Sequence, residues 1–200
     1  MITTYNNDKN SKLPLQGAGG QTSGRGAGIE RLIASIRNVP DFPKPGILFK
    51  DITTAMKDAE VLRFIADELY EYYKDRGITK VVGVESRGFV LGSILAYKLG
   101  AGFVLLRKPG KLPSETFKVE YELEYGIDAL EIHKDAIDET DVVLLHDDLL
   151  ATGGSAGAAL KLIEMFHPKS VLVSFLIELE FLNGRSRLQG AEDIHALIKY

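Results

Sequence analysis

Four apolar runs set the strongest limit on what this chain can become: "VVGV" at 81–84, "GFVLLR" at 102–107, "DVVLLHDD" at 141–148 and "SVLVSFLIEL" at 170–179. Each is continuous rather than alternating, which is the mark of strands covered on both faces, and such strands belong to parallel sheets. Between them lie stretches with helical spacing. The segment 58–75 carries Leu62, Ile65, Ala66, Leu69 and Tyr73 along one face, another stretch runs to Leu99, and a third covers 151–166. The pattern predicts an α/β fold, a mostly parallel twisted sheet flanked by helices, with "SVLVSFLIEL" as its last strand. Ligands of such sheets gather beyond the carboxyl ends of the strands.

Residues 1–28, including "GAGGQTSGRGAG", hold few apolar residues and no period that could bury a face, so they are expected to form a flexible extension. "GRGAGI" lacks the third glycine and the preceding strand of a dinucleotide fingerprint. From Ile29 the spacing of Ile29, Leu32, Ile33 and Ile36 predicts a helix, stopped by "VPDFPKPG". Residues 29–200 therefore form one folded domain. Between Lys108 and Glu139 the apolar density falls, and a mobile loop should feed an alternating strand near 118–124.

The formal net charge of −4 argues against a nucleic-acid partner. Cysteine is absent, which excludes disulfides and thiolate metal sites, and the four histidines are too far apart for a helical metal motif. No apolar stretch is long enough to span a membrane, and the polar amino terminus does not look like a signal peptide, so a cytoplasmic protein is expected.

Chemistry concentrates at the end of the third run, where Asp147 and Asp148 precede Ala151-Thr152-Gly153-Gly154-Ser155. A single Asp there could simply cap the next helix. Two adjacent carboxylates before a glycine loop suggest more. Glycines let backbone N–H groups approach an anion, and the helix amino terminus adds about half a positive charge. Carboxylates beside a phosphate need hydroxyl partners, so phosphate next to a diol points to ribose 5-phosphate. A Walker A loop is absent, which disfavours nucleotide hydrolysis.

This segment resembles the phosphoribosyl-pyrophosphate (PRPP) motif of the phosphoribosyltransferases, and "DDLLATGG" is similar to the adenine-specific branch. The resemblance extends from about Ile33 to Leu188 through "DFPKPGILFKDIT", "ESRGF", "RKPGKLP", "EYELEYG", "LEIHKDAI" and "LIEL" with a following "GR". It implies the type I phosphoribosyltransferase fold, with a small amino-terminal hood at about 29–55 and a flexible lid loop. It also implies that Asp147 and Asp148 hold the ribose hydroxyls while Ala151, Thr152, Gly153, Gly154 and Ser155 cradle the 5′-phosphate. Ser86 and Arg87 match the pyrophosphate loop, and Arg107, Lys108 and Lys111 would meet pyrophosphate charge from the lid; the plainer alternative for those three is a solvated basic loop. Leu48, Phe49 and Lys50 match the adenine segment, although a Leu-Phe pair is otherwise ordinary core.

Glu124 matches the family's catalytic acid, with Tyr125 beside it in the lid; Glu120, Tyr121 and Glu122 are taken as a solvated strand face. Two positions depart from the family pattern. Ser155 replaces the common threonine and keeps its hydroxyl. His146 replaces an aliphatic residue, and is either a satisfied core histidine or a modulator of the carboxylates. The implied reaction is adenine plus PRPP to AMP plus pyrophosphate, with Mg2+ held mainly by PRPP and no direct metal ligand in the chain, in a homodimer. The alternatives are transfer to another purine base and a non-catalytic PRPP-sensing regulator.

Overall fold

The computed structural model describes residues 21–123 and 126–200. Helix α1 (Gln21–Ser35) leads into an antiparallel pair, β1 (Arg37–Pro40) and β2 (Leu48–Asp51). A single turn, α2 (Thr53–Met56), and helix α3 (Ala59–Tyr73) follow, then β3 (Lys80–Val84), α4 (Gly88–Leu99) and β4 (Gly102–Leu106). A hairpin, β5 (Thr116–Leu123) and β6 (Gly126–His133), precedes β7 (Val142–Leu150), α5 (Gly154–Glu164), β8 (Ser170–Glu178) and β9 (Asp193–Lys199). The central sheet has five parallel strands in the order β4-β3-β7-β8-β9.

The sheet separates two cores. On one face α1, α3 and α4 cover Val81, Leu144, Leu172 and Leu176. On the other, α5 and the β5–β6 hairpin cover Val82, Val143, Leu145, Val173 and Phe175. The hairpin is anchored there through Leu130 and Ile132, both buried, and through Phe117, whose ring meets Phe166 edge-on with centroids 5.3 Å apart.

Local chemistry accounts for the boundaries. Asp58 caps α3 by accepting hydrogen bonds from the N–H groups of Glu60 (2.9 Å) and Val61 (3.2 Å). The buried stripe of α3 begins at Val61 rather than Leu62 and continues through Ile65, Ala66, Leu69 and Tyr73. Helix α4 presses unusually close to the sheet: a Cβ on Gly88 would lie 2.8 Å from the His146 carbonyl oxygen, and one on Gly92 would lie 3.0 Å from the Phe103 ring.

The structure corrects the sequence-based picture in four places. Helix α1 starts at Gln21, so residues 21–28 are helical rather than part of a flexible extension. Tertiary packing overrides their poor propensity: Arg25 pairs with Glu68 at 2.7 Å, and Gly28 lies directly against the Phe64 ring. "SVLVSFLIEL" is not the last strand, because β9 adds to its outer side. The apolar-poor segment after Lys108 contains two paired strands instead of one. The β1–β2 pair was not anticipated either.

Candidate active site

Strand β7 delivers its two carboxylates to the carboxyl end of the sheet, where both line one cavity. Both are buried, at 9% exposure for Asp147 and 4% for Asp148. Asp148 accepts a 2.5 Å hydrogen bond from the Arg87 guanidinium, which stands at the start of α4. Asp147 turns one oxygen back to accept the Asp148 N–H at 2.8 Å. Burial, followed by the charge of Asp148, pushes the Asp147 carboxyl well above the usual carboxylate range, with Arg87 opposing. Arg87 also faces the Phe49 ring at 5.4 Å, which links the β1–β2 pair to the acid corner. The peptide joining Glu85 to Ser86 is cis.

Beyond Leu150 the chain turns into α5, whose amino terminus has no side-chain cap. Gly153 holds that turn at φ +80°, and a Cβ there would sit 2.4 Å from the Gly184 carbonyl oxygen. Only glycine meets both demands. Gly153 and Gly154 are buried, Ser155 is half-buried and Thr152 is exposed. The uncapped N–H groups and the hydroxyl of Ser155 therefore form a cradle suited to an anion.

The basic rim comes from the end of β4. Arg107 contacts both carboxylate oxygens of Glu85, at 3.1 and 3.3 Å, and the Lys108 N–H donates to the same carboxylate at 2.9 Å. The Lys108 ammonium pairs with Asp128, which also accepts a 3.2 Å hydrogen bond from the Tyr121 hydroxyl. Lys111 contributes its backbone carbonyl to Arg107 at 3.3 Å. Ser86, Arg87, Lys108, Tyr121, Asp128, Asp147, Asp148 and Ser155 line one cavity of about 330 Å3. A larger groove of about 790 Å3 runs between the β5–β6 hairpin and α5 and includes Gly153 and Gly154. Of the two, the smaller contains both aspartates, which makes it the candidate chemical centre.

The model of the phosphoribosyl transferase domain matches residues 49–194. An adenine phosphoribosyltransferase of Bacteroides fragilis is 61% identical over 165 residues, covering 82% of this chain and 93% of the relative. One from Geotalea uraniireducens is 55% identical over 172 residues, 86% of this chain and all of the relative. The crystal structure of the Giardia lamblia enzyme complexed with 9-deazaadenine superposes with a TM-score of 0.82 at 41% identity, covering 86% of this chain and 97% of that one. The chain belongs to the adenine phosphoribosyltransferase family.

As in other adenine phosphoribosyltransferases, the sheet and its helices make the type I phosphoribosyltransferase fold. Against that frame, the structure brings Ser86, Arg87, Lys108, Asp147, Asp148 and Ser155 around one cavity. Arg107 stands behind it, engaged with Glu85. Of the hood residues, Phe49 reaches Arg87, Leu48 is 52% exposed, and Lys50 turns to the Asn38 side-chain oxygen (2.8 Å) and the Tyr200 ring (3.9 Å). Glu124 and Tyr125 lie outside the described residues.

Tyr121 is a correction: it is half-buried and faces the cavity instead of solvent, whereas Glu120 is exposed and pairs with Lys118. Asp128 and Glu85 were not singled out from the sequence. The hairpin register, which sets Tyr121 opposite Asp128, was the missing information. His146 is fully buried, with Nδ1 3.1 Å from the Ser174 hydroxyl and its pKa lowered to about 4 by burial. It is a neutral core imidazole whose hydrogen bond runs to β8 and not to the carboxylates.

Proposed function

We propose that this protein converts adenine and PRPP to AMP and pyrophosphate by displacement at the ribose anomeric carbon. The observation that carries the reading is the joining, in one cavity, of a buried acid pair, an uncapped glycine-bounded helix start and the Arg87–Lys108 cations. Ribose hydroxyls bind Asp147 and Asp148, and the 5′-phosphate binds the 151–155 cradle. Ser86, Arg87, Arg107, Lys108 and Lys111 form the pyrophosphate side, with Leu48, Phe49 and Lys50 at the base.

The transition state is oxocarbenium-like, so positive charge grows on the ribose while negative charge grows on the leaving pyrophosphate. The buried carboxylates face the first and the basic rim faces the second, each preset before charge develops. Asp147, whose carboxyl burial holds above the usual carboxylate range, can donate a hydrogen bond to a ribose hydroxyl when protonated and accept one when ionised. The base must lose its N9 proton; Glu124 assists that movement, and closure of the lid that carries Glu124 and Tyr125 keeps water from capturing the ribose. Backbone groups of the hood discriminate against 6-oxo purines, since replacing an amino donor by a carbonyl leaves buried groups unpaired.

Among the described residues no group of three or more His, Cys, Asp or Glu could hold a metal ion. In this reading Mg2+ is carried in on PRPP, with Asp147 and Asp148 as flanking carboxylates. When bound, the ion neutralises charge on the departing pyrophosphate. Among the described residues no helix is long and apolar enough to cross a membrane. A cytoplasmic homodimer completes the proposal, supported by the family resemblance.

Pyrophosphate release with PRPP and Mg2+ tests the reading, with adenine, hypoxanthine, guanine and xanthine assayed separately. Turnover is expected with adenine alone and is expected to vanish in the Asp147→Asn/Asp148→Asn double variant. Turnover with a 6-oxo purine overturns the base assignment. PRPP binding without turnover on any base replaces the enzyme by a PRPP-sensing regulator.

A further inference from the structure

The Lys108 ammonium, which the proposed function gives to pyrophosphate, already has a carboxylate partner. Asp128 reaches it from β6, and Tyr121, directly opposite on β5, donates a second hydrogen bond to the same Asp128 oxygen at 3.2 Å. The other Asp128 oxygen accepts the Ala129 N–H at 2.8 Å, so the carboxylate is held on three sides. Asp128, Tyr121 and Lys108 line the cavity that contains Arg87, Asp147 and Asp148. Burial alone would lift the Asp128 carboxyl, but the Lys108 ammonium and the Ala129 N–H keep it below the usual carboxylate range, and it stays ionised at neutral pH.

We infer that Asp128 is a positioning residue that acts through Lys108 as a counter-charge, lowering the affinity of the cavity for the pyrophosphoryl group and thereby easing its departure. The inference rests on the assignment of Lys108 to the pyrophosphate side. A pyrophosphate entering the cavity competes with Asp128 for one ammonium, and it also meets the field of a fixed negative charge. A leaving group that carries several charges would otherwise be held tightly by Arg87 and the β4 cations, at a cost to turnover whenever release is slow. Tyr121 limits the motion of the carboxylate, so that Lys108 can return to the same partner after each release.

Calorimetric titration of the full-length protein with pyrophosphate in the presence of Mg2+ tests this, comparing the wild type with Asp128→Asn and Asp128→Glu. The neutral variant is expected to bind pyrophosphate roughly tenfold more tightly, equivalent to about 1.4 kcal/mol. It is also expected to show a lower KM for PRPP, stronger product inhibition and a reduced kcat. Asp128→Glu should restore wild-type affinity. Damage to the lid would weaken binding, so a gain in affinity separates the counter-charge role from a merely structural one. Equal or weaker binding by Asp128→Asn overturns the inference while leaving the pyrophosphate assignment intact. Absence of pyrophosphate binding in the wild type overturns both.

Discussion

At the scale of single residues, His146 shows how a polar group in the core shapes behaviour away from neutral pH. Its Nδ1 is partnered by Ser174, but its Nε2 has no partner among the described residues, and burial lowers its pKa from 6.5 to about 4. The unfolded chain therefore takes up this proton first as the pH falls. The stability is whole above about pH 6.5 and is lost progressively towards pH 4. By pH 5 the loss from this residue amounts to about 2 kcal/mol. Urea unfolding at pH 7 and pH 5 should show a markedly smaller acid penalty for His146→Leu than for the wild type; equal penalties would place the acid sensitivity elsewhere. The acid pair itself was legible in the sequence, because Asp147, Asp148 and the glycine loop are neighbours along the chain. Asp128, Tyr121 and Glu85 were not, because they become site residues only through pairing across a hairpin and between the ends of two strands.

At the scale of elements, α1 carries the clearest lesson. Its glycines looked like a flexible extension, yet three of them differ sharply in surroundings. A Cβ at Gly28 would lie 2.2 Å from the Phe64 ring, while Gly24 and Gly26 face open space. Gly28→Ala should therefore destabilise by about 1–3 kcal/mol through overpacking. Gly24→Ala and Gly26→Ala should each stabilise by up to about 1 kcal/mol through helix propensity. Thermal midpoints of the three variants check this, and a common direction for all three would show that α1 does not dock on α3. Strands β3, β7 and β8 were legible because burial makes most of them apolar runs, and β4 because its residues are apolar although only Leu106 is fully buried. Strand β9 escaped because Asp193, His195 and Lys199 interrupt its apolar residues. The β1–β2 pair escaped because its residues are exposed or only half-buried.

At the scale of the whole molecule, the proposed base wall and phosphate wall come from separate parts of the chain. The β1–β2 pair is a sheet of its own, meeting the acid corner through Phe49 against Arg87, whereas the phosphate cradle belongs to the β7–α5 turn and rests on Gly184. Replacing residues 37–51 with the corresponding segment of a phosphoribosyltransferase that uses a 6-oxo purine should change the base accepted and leave pyrophosphate binding within about twofold of the wild type, where twofold is about 0.4 kcal/mol. Loss of pyrophosphate binding in a folded chimera would show that the two walls are coupled. The backbone contact between Gly153 and Gly184 adds a different consequence. Neither position can accept a side chain without displacing the other segment, so the cradle has little room to drift by mutation. On the proposed assignment of the two walls, descendants of such a chain can explore new bases over generations while the sugar-phosphate cradle stays as it is.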